Sequence, residues 1–187
     1  MASDAGPRGR VGCAPITAEL PPSRVADLLA STCALVEGEV GALGDEDARW
    51  HPAPGEWCAN EVLGHIIEAE KRGFAGRIER ALAADRPFEA GWDQQAVAKE
   101  RNDCARVAAS LVMEFMGLRK RSLQLIRSLR DDQLDRACVH ANVGELRVRD
   151  LLHEWVHHDR DHTRQLLANV QARVWPHLAN AQGFAGE

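Results

Sequence analysis

Hydrophobic residues recur at three- and four-residue steps in four long blocks of the chain, and segments rich in glycine, proline and charge separate these blocks. This spacing places the apolar side chains on one face of an α-helix. We therefore predict four amphipathic helices, at about residues 23–43, 57–84, 103–129 and 149–173. Gly44 is expected to end the first helix and Pro176 to end the last.

The connections between the four blocks differ in length. Residues 50–57 contain two prolines at alternate positions and predict a short, rigid connection. Residues 85–95 and 131–149 are longer and irregular, with an extended turn predicted at 143–148. Because these two segments are the long irregular ones, we expect them to form the walls of any cavity near the second and fourth helices. Trp92 either lines the mouth of that cavity or anchors its loop on the bundle.

The chain has 187 residues, which is enough for one domain with a sizeable core. Four helices of roughly 20 to 28 residues make an all-α four-helix bundle the predicted fold. The bundle is expected at 23–175, after a leader at 1–22 that lacks periodicity and before a tail at 176–187.

Charge and composition argue against several classes of function. The net charge of −5 gives no electrostatic footprint for nucleic acid. No apolar run approaches the roughly 20 residues that are needed to span a bilayer, and the first residues lack the apolar core of a signal peptide. We therefore predict a cytoplasmic protein without a nucleic-acid or membrane partner.

The five cysteines are odd in number and scattered, with no C-x-x-C pair, so they predict free thiols rather than a disulfide framework or a zinc ribbon. Cys58 shares a helical strip with His65, but the intervening helix separates the two residues by about 10 Å. This distance is too long for ligands of one ion. Cys58 is therefore interpreted as a small core residue.

The fourth predicted helix contains four of the eight histidines of the chain. They form two pairs with i, i+4 spacing, His153 with His157 and His158 with His162, and this spacing brings two imidazoles within reach of one metal ion. At about 100° per residue, the second pair falls at the edge of the apolar face, whereas the first points toward water. Dry, packed surroundings favour a metal site because they fix the ligand geometry. We therefore predict His158 and His162 as metal ligands and the other pair as solvated.

Asp159 falls in the middle of the apolar arc of the same helix, where an unpaired carboxylate would be strongly unfavourable. It is therefore expected to have a partner. Two roles are open. Asp159 either supports the metal site, as a hydrogen-bond acceptor beside the ligands or as a catalytic base, or it forms a structural hydrogen bond to a neighbouring helix or loop.

Three segments together resemble the DinB superfamily. Residues 57–66 read WCANEVLGHI and are similar to the family's W-x-x-x-E-v-l-x-H-l segment. Residues 144–152 read GELRVRDLL and residues 158–162 read HDRDH, which are similar to its G-x-l-t-l-x-d-l-l and H-D/E-x-x-H block. Each motif is short, but their order and separation are specific, and the resemblance extends over about residues 23–174.

This resemblance implies a bundle in which His65 joins His158 and His162 around a metal ion, with water or substrate in the open positions. Three neutral imidazoles suit Zn²⁺, Ni²⁺, Mn²⁺ or Fe²⁺. His65 lies off the main apolar stripe, on a strip of small residues that permits close approach of another helix. Related families include thiol S-transferases that use bacillithiol or mycothiol and a mycothiol-dependent maleylpyruvate isomerase. The resemblance thus implies a metal-dependent enzyme that acts on a small molecule through a low-molecular-weight thiol. Separately, we expect that the protein can form a homodimer.

Two other interpretations are open. In the first, residues 158–162 are a variant of the zinc-peptidase motif H-E-x-x-H in a hydrolase, with Asp159 as the base and His177 or Glu187 as the downstream candidates for a third ligand. In the second, the protein is a non-enzymatic metal-binding or stress-response module whose helix faces serve association. A deep pocket that opens on the metal favours an enzyme, whereas a metal that is shielded from solvent favours the module. Arg147 and Arg149 are expected to be solvated, with anion binding as the alternative.

Overall fold

The computed structural model describes residues 18–186, and most of these residues lie in helices. The elements follow in the order α1 (Pro22–Ala48), α2 (Ala59–Glu68), a π-helical segment (Ala69–Phe74), α3 (Ala75–Ala83), β1 (Phe88–Glu89), α4 (Gln94–Arg101), α5 (Ala108–Ser128), β2 (Ala137–His140), β3 (Gly144–Arg147) and α6 (Val148–Val174). Four long helical segments, namely α1, the continuous unit from α2 to α3, α5 and α6, confirm the predicted four-helix bundle.

Within residues 18–186, no helix combines the length and the hydropathy that are needed to cross a membrane. Most of the predicted leader, residues 1–17, lies outside the described residues.

The first helix is longer than predicted. α1 continues to Ala48, but Gly44 has a positive φ of 69° inside it, so the predicted break is present as a kink rather than as a helix end. After the kink, the carboxylate of Asp45 accepts a hydrogen bond of 2.9 Å from the backbone N–H of Ala108, in the first turn of α5. This bond holds the end of α1 on the start of α5.

The third predicted helix begins later than the pattern indicated. Residues Asp103–Ala105 form a separate 3₁₀ turn, and α5 starts at Ala108. The chain turns here because the buried carboxylate of Asp103 accepts hydrogen bonds from Arg101 and Arg106. The preceding element, α4, was not predicted, since none of its eight residues is buried and it shows no apolar stripe.

A small three-stranded sheet joins the two long connections. β2 pairs with β3 in antiparallel fashion, with Cys138 opposite Leu146, and β1 pairs with β2 in parallel, with Phe88 opposite Val139. The sequence predicted only an extended turn at 143–148, because strands this short carry too little alternation to be recognised. The sheet ties the 85–95 connection to the 131–149 connection beside the start of α6.

Apolar side chains from all four long helical segments fill the interior. One charged group crosses this interior as well. Arg119 of α5 is 0% exposed and donates hydrogen bonds to Glu70 of the π-helical segment, to Asp159 of α6 and to the backbone carbonyl of Leu29 of α1. A single guanidinium therefore links all four long helical segments.

Candidate metal centre

Three histidines from two helices meet at one point in the bundle. His65 lies near the end of α2, and His158 and His162 lie one turn apart in the middle of α6. One ring nitrogen of each residue lies within 4.8 Å of those of the other two, and the Nε2 atoms of His65 and His158 are 3.0 Å apart. The structure thus brings together the three residues that the sequence and the family resemblance indicated. We call this group the histidine centre.

Burial controls the protonation of two of these rings. The pKa of His65 is lowered to about 3, first by burial and then by the neighbouring His162 and His158. The pKa of His158 is also lowered to about 3, by burial and then by His162. Both imidazoles are therefore neutral at pH 7, and each has a lone pair available for a Lewis acid.

The donor set fits a divalent transition metal. Two nitrogens at about 2.0–2.1 Å from one ion lie about 3.0–3.4 Å apart, a range that includes the separation between His65 and His158. Nδ1 of His162 lies 3.0 Å from Oε1 of Gln165, which can only accept, so Nδ1 carries the proton and Nε2 has the lone pair. Three protein ligands leave positions open for exchangeable ligands, as in catalytic zinc sites. The same set suits Zn²⁺, Ni²⁺, Mn²⁺ and Fe²⁺.

The metal-free protein is expected to lose stability as the pH falls below about 6.5. The unfolded chain protonates His65 and His158 near their ordinary pKa, whereas the folded chain keeps both neutral until about pH 3, so protons favour the unfolded state throughout this window. Urea unfolding of the apo-protein at about pH 7.5, 6 and 5 should show a falling free energy of unfolding. His158→Gln should weaken this dependence and the exposed His157→Gln should not. A free energy of unfolding that is constant across this range in the apo-protein would contradict the prediction.

Two tryptophans and a short helix enclose His65. The ring centroid of Trp57 lies 5.2 Å from that of His65, and the Trp92 ring stacks on the imidazole with a centroid distance of 5.9 Å. α4 packs on α2 next to them, and His65 is only 6% exposed. Periodicity did not show this burial, because the covering groups come from outside the helix. Trp92 therefore has both of the roles considered for it: it anchors its loop and, as described below, lines a cleft.

Gly64, just before His65, permits the close approach of the turn before α5. A Cβ atom at Gly64 would lie 1.8 Å from Oδ2 of Asp103. This carboxylate has little freedom to move, because it is buried and bound to Arg101 and Arg106. The approach therefore requires a residue without a side chain.

We predict that Gly64→Ala lowers the free energy of unfolding by about 1–3 kcal/mol, since it overfills a packed contact. The matched control is Gly38→Ala in α1, where no atom lies within 4 Å of the added Cβ. This control should raise the free energy of unfolding by about 0.5–1 kcal/mol through helix propensity alone. Urea denaturation of the two variants checks the prediction, and changes of the same sign would contradict it.

The π-helical segment interrupts what the sequence predicted as one continuous helix at 57–84. It begins one residue after Glu68, one turn beyond His65. The wider turn brings the backbone carbonyl of Lys71 close to Gly76. A Cβ at this position would lie 2.2 Å from the carbonyl oxygen, so only glycine fits. Single π-helical turns of this kind are frequent at functional sites. Here Ala69 and Gly73, both small, lie on the wall of a cleft beside the histidine centre.

This cleft has a volume of about 250 Å³ and opens beside His158. One wall comes from the π-helical segment and α3, and the other comes from the two long connections, as predicted from the sequence. Trp92 supplies aromatic surface, whereas His140 and Glu154 supply polar groups. Through His158, the histidine centre therefore adjoins a cleft whose volume lies just below the roughly 300–1,000 Å³ that is typical of small-molecule sites.

Arg77 is a cleft residue with unused hydrogen-bonding capacity. Its side chain is 13% exposed, Nε has no hydrogen-bond partner among residues 18–186, and its nearest carboxylate oxygen, from Glu89, is 3.9 Å away. Burial lowers the pKa of Arg77 from its usual value, and Glu89 partly offsets the effect. A guanidinium with free donors suits an anionic group. Arg147 is exposed and paired with Asp150, as expected for a solvated arginine. Arg149 is only 26% exposed and also has an Nε without a partner among residues 18–186, but its terminal nitrogens pair with Glu19 and Asp135.

Asp159 is 1% exposed, and its two carboxylate oxygens accept hydrogen bonds of 2.6 and 3.2 Å from Arg119. In the described part of the chain, no hydrogen bond joins Asp159 to His65, His158 or His162. Of the two roles considered from the sequence, this geometry supports the structural one.

The other histidine pair of α6 does not join the centre. His157 is exposed, as expected, and its Nδ1 lies 3.4 Å from the carboxylate of Asp161. His153 is half-buried rather than solvated, with Nδ1 2.7 Å from the backbone carbonyl of Arg149 and Nε2 accepting the backbone N–H of Leu20. The expectation for His153 was wrong because the chain before α1 packs against this side of α6. This contact cannot be inferred from the helical phase of α6 alone.

The bundle and the three converging imidazoles are features of helical proteins that hold a metal between facing helices. The sequence matches the family model of the DinB superfamily over residues 28–166. The chain therefore belongs to the DinB superfamily, as the resemblance in its motifs indicated.

Individual relatives are more distant. A protein of Oceanobacillus iheyensis, provisionally named a metal-dependent hydrolase, is 26% identical over 123 residues, which is 66% of this chain and 70% of that protein. A protein of Bacillus cereus strain AH820 with the same provisional name is 25% identical over 137 residues, 72% of this chain and 78% of the relative.

Among solved structures, YfiT from Bacillus subtilis is similar, with a TM-score of 0.74 and 17% identity over 89% of this chain and 93% of that chain. It is described as a probable metal-dependent hydrolase with an unusual four-helix bundle topology. A conserved protein from Enterococcus faecalis has a TM-score of 0.61 and 12% identity, covering 82% of this chain and 97% of the other. At these identities the structural likeness concerns the fold.

Proposed function

We propose that the protein is a metal-dependent enzyme in which His65, His158 and His162 hold one divalent transition ion and a small molecule binds in the adjoining cleft. The observation that carries this proposal is that three imidazoles, two of them held neutral by burial, meet beside a 250 Å³ cleft that His158 lines. When bound, the ion supplies Lewis acidity. It would lower the pKa of a bound thiol or water, so that the thiolate or hydroxide exists at neutral pH. Following the family resemblance, we propose a low-molecular-weight thiol as the nucleophile.

The cleft residues orient the reactants. Arg77 binds an anionic group of the thiol or of its electrophilic partner through its free N–H donors. Nδ1 of His140 accepts the backbone N–H of Asn142 at 3.2 Å, so its Nε2 carries the proton and is a second donor. Trp92 covers this side of the centre and limits the access of water. These donors favour an anionic small molecule as the substrate or the thiol.

A hydrolase is the second candidate, and the provisional names of the relatives favour it. Hydrolysis needs a base within hydrogen-bond reach of the attacking water. Asp159 is held by Arg119, so the base in the peptidase-like alternative is engaged elsewhere. Of the two candidates for its third ligand, His177 contacts Arg173 rather than the histidine centre, and Glu187 lies outside the described residues. Glu154, on the cleft wall one turn before His158, is the candidate base for this version. The open cleft disfavours the purely structural module.

Cobalt spectroscopy tests the thiol proposal. The experiment uses a variant with Cys58→Ser and Cys104→Ser, so that the thiols near the start of α2 do not contribute to the cobalt spectrum. Co²⁺ is added at one equivalent. Mercaptoacetate and 2-mercaptoethanol are then titrated separately. We expect sulfur-to-cobalt charge-transfer absorption with both thiols, because thiolate binds such ions directly. Beyond any gain from chelation of the cobalt by its carboxylate, mercaptoacetate should bind roughly tenfold more tightly than 2-mercaptoethanol, since we expect Arg77 to pair with that carboxylate.

Arg77→Met should remove this preference and leave the charge-transfer band itself intact. His158→Ala should remove the band. If cobalt binds and neither thiol changes its spectrum, the thiol proposal is wrong and the hydrolase remains. The hydrolase is then tested by Glu154→Gln, which should depress ester or amide hydrolysis by the metal-loaded protein while its metal content is unchanged.

A further inference from the structure

A second group of metal-binding side chains lies at the opposite end of α2 from His65. It consists of His51 in the connection before α2, Cys58 at the N-terminus of α2, Glu61 in its first turn and Cys104 in the 3₁₀ turn before α5. One ligand atom from each of the four residues lies within 4.8 Å of the others. Two thiols, an imidazole and a carboxylate from three separate segments therefore meet in a small volume.

The orientation of His51 suits coordination. Nδ1 lies 2.8 Å from the backbone carbonyl of Glu56, which can only accept, so the proton is on Nδ1 and the lone pair is on Nε2. Nε2 in turn lies 3.4 Å from Sγ of Cys104. A nitrogen and a sulfur on one tetrahedral zinc ion are separated by about 3.5 Å, given bonds of about 2.0–2.1 and 2.3 Å. Donation from the second ring nitrogen to a backbone carbonyl is the arrangement that orients zinc-binding histidines.

Cys58 and Glu61 are held by the start of α2. Sγ of Cys58 faces the free N–H groups of the first turn, where the helix dipole favours a thiolate. Oε2 of Glu61 accepts the backbone N–H of Cys58 at 2.9 Å, which leaves the other carboxylate oxygen for a cation. In the metal-free protein burial raises the pKa of the Cys58 thiol, so this residue lacks the thiolate character of a reactive cysteine.

We propose that His51, Cys58, Glu61 and Cys104 form a structural zinc site, distinct from the histidine centre. Two sulfurs, one nitrogen and one oxygen are a tetrahedral set that zinc accepts, and four protein ligands leave no open position, which is typical of structural sites. As the two sulfur–zinc bonds form, the two thiol protons pass to solvent. The ion clamps the 50–57 connection, the start of α2 and the turn before α5 together. Trp57, adjacent to Cys58, is thereby fixed against His65.

Zinc content in a background without the histidine centre tests this proposal independently of the proposed enzymatic function. The full chain with His158→Ala and His162→Ala, purified under reducing conditions, is incubated with Zn²⁺ and dialysed. We expect about one zinc per chain to remain. Adding Cys104→Ser or His51→Ala should lower the zinc content to near zero, because each removes one of four ligands. Cys33→Ser, a half-buried cysteine of α1 outside the group, should leave it unchanged.

Of the two test residues, His51 is exposed and Cys104 is half-buried, and circular dichroism verifies that both variants fold. A second readout is the Co²⁺ form of the same background, which should show sulfur-to-cobalt charge transfer without any added thiol, and Cys104→Ser should weaken it. The proposal is overturned if the background retains no zinc, or if zinc is retained equally in the His51→Ala and Cys104→Ser variants. A disulfide between Cys58 and Cys104 in the zinc-treated, reduced protein also overturns it.

Discussion

His158→Ala and His162→Ala should each abolish stoichiometric metal binding at the histidine centre. Each substitution removes one of three protein ligands. In both variants, the two ligands that remain are His65 of α2 and one histidine of α6. The loss of affinity should exceed the roughly 10–100-fold effect of removing a partner outside the coordination sphere. Titration calorimetry with Zn²⁺ or Ni²⁺ measures it, in a Cys104→Ser background that removes the competing site.

The same helix supplies the controls. His153→Ala and His157→Ala should leave the affinity unchanged, because neither ring joins the centre. Gln165→Leu should give the intermediate loss of about 10–100-fold, since Gln165 holds Nδ1 of His162 and thereby orients its Nε2. If the first two variants lose the metal while His158→Ala and His162→Ala keep it, the helical phase used throughout is wrong.

Arg119→Met should lower the free energy of unfolding by about 3–5 kcal/mol. Methionine fills much of the same volume but leaves the carboxylates of Glu70 and Asp159 buried without their cation. Both are only 1% exposed, so neither can recover hydration without opening the bundle. Urea denaturation at neutral pH measures the loss. The helical content of the variant is checked by circular dichroism.

The matched control is Arg127→Gln, two turns further along α5. Arg127 pairs with Asp27 at 3.5 Å, but both side chains are more than half exposed. Its removal should change the free energy of unfolding by less than about 1 kcal/mol. If Arg119→Met and Arg127→Gln have equal effects, the buried ionic group is not what links the four long helical segments.

Helical periodicity was sufficient for the bundle because each long helix presents a continuous apolar stripe to a shared interior. It was insufficient where the conformation depends on contacts between segments. Gly44 was predicted to end the first helix, yet it forms only a kink, and the helix resumes after it, where Asp45 binds the start of α5. The turn at Asp103 likewise depends on its bonds to Arg101 and Arg106, and α4 has no stripe to recognise.

The residues of the candidate site were likewise predictable only where they depend on a single helix. Phase within one helix selected His158 and His162, and the family resemblance added His65, whose burial depends on Trp57 and Trp92. The partner of Asp159 was expected, but its identity as Arg119 could not be predicted because the two residues lie on different helices. The interpretation of Cys58 as a core residue accounted for its burial and omitted Cys104 and His51, which only folding brings beside it.

Anomalous diffraction from crystals of the full chain, grown with Zn²⁺ or Ni²⁺ and measured on both sides of the metal absorption edge, tests the histidine centre most directly. We predict an anomalous peak within coordination distance, about 2.0–2.2 Å, of ring nitrogens of His65, His158 and His162, on the side that faces the cleft. Crystals with metal in the solution and no anomalous peak among these three rings would contradict the central claim that they form a metal site.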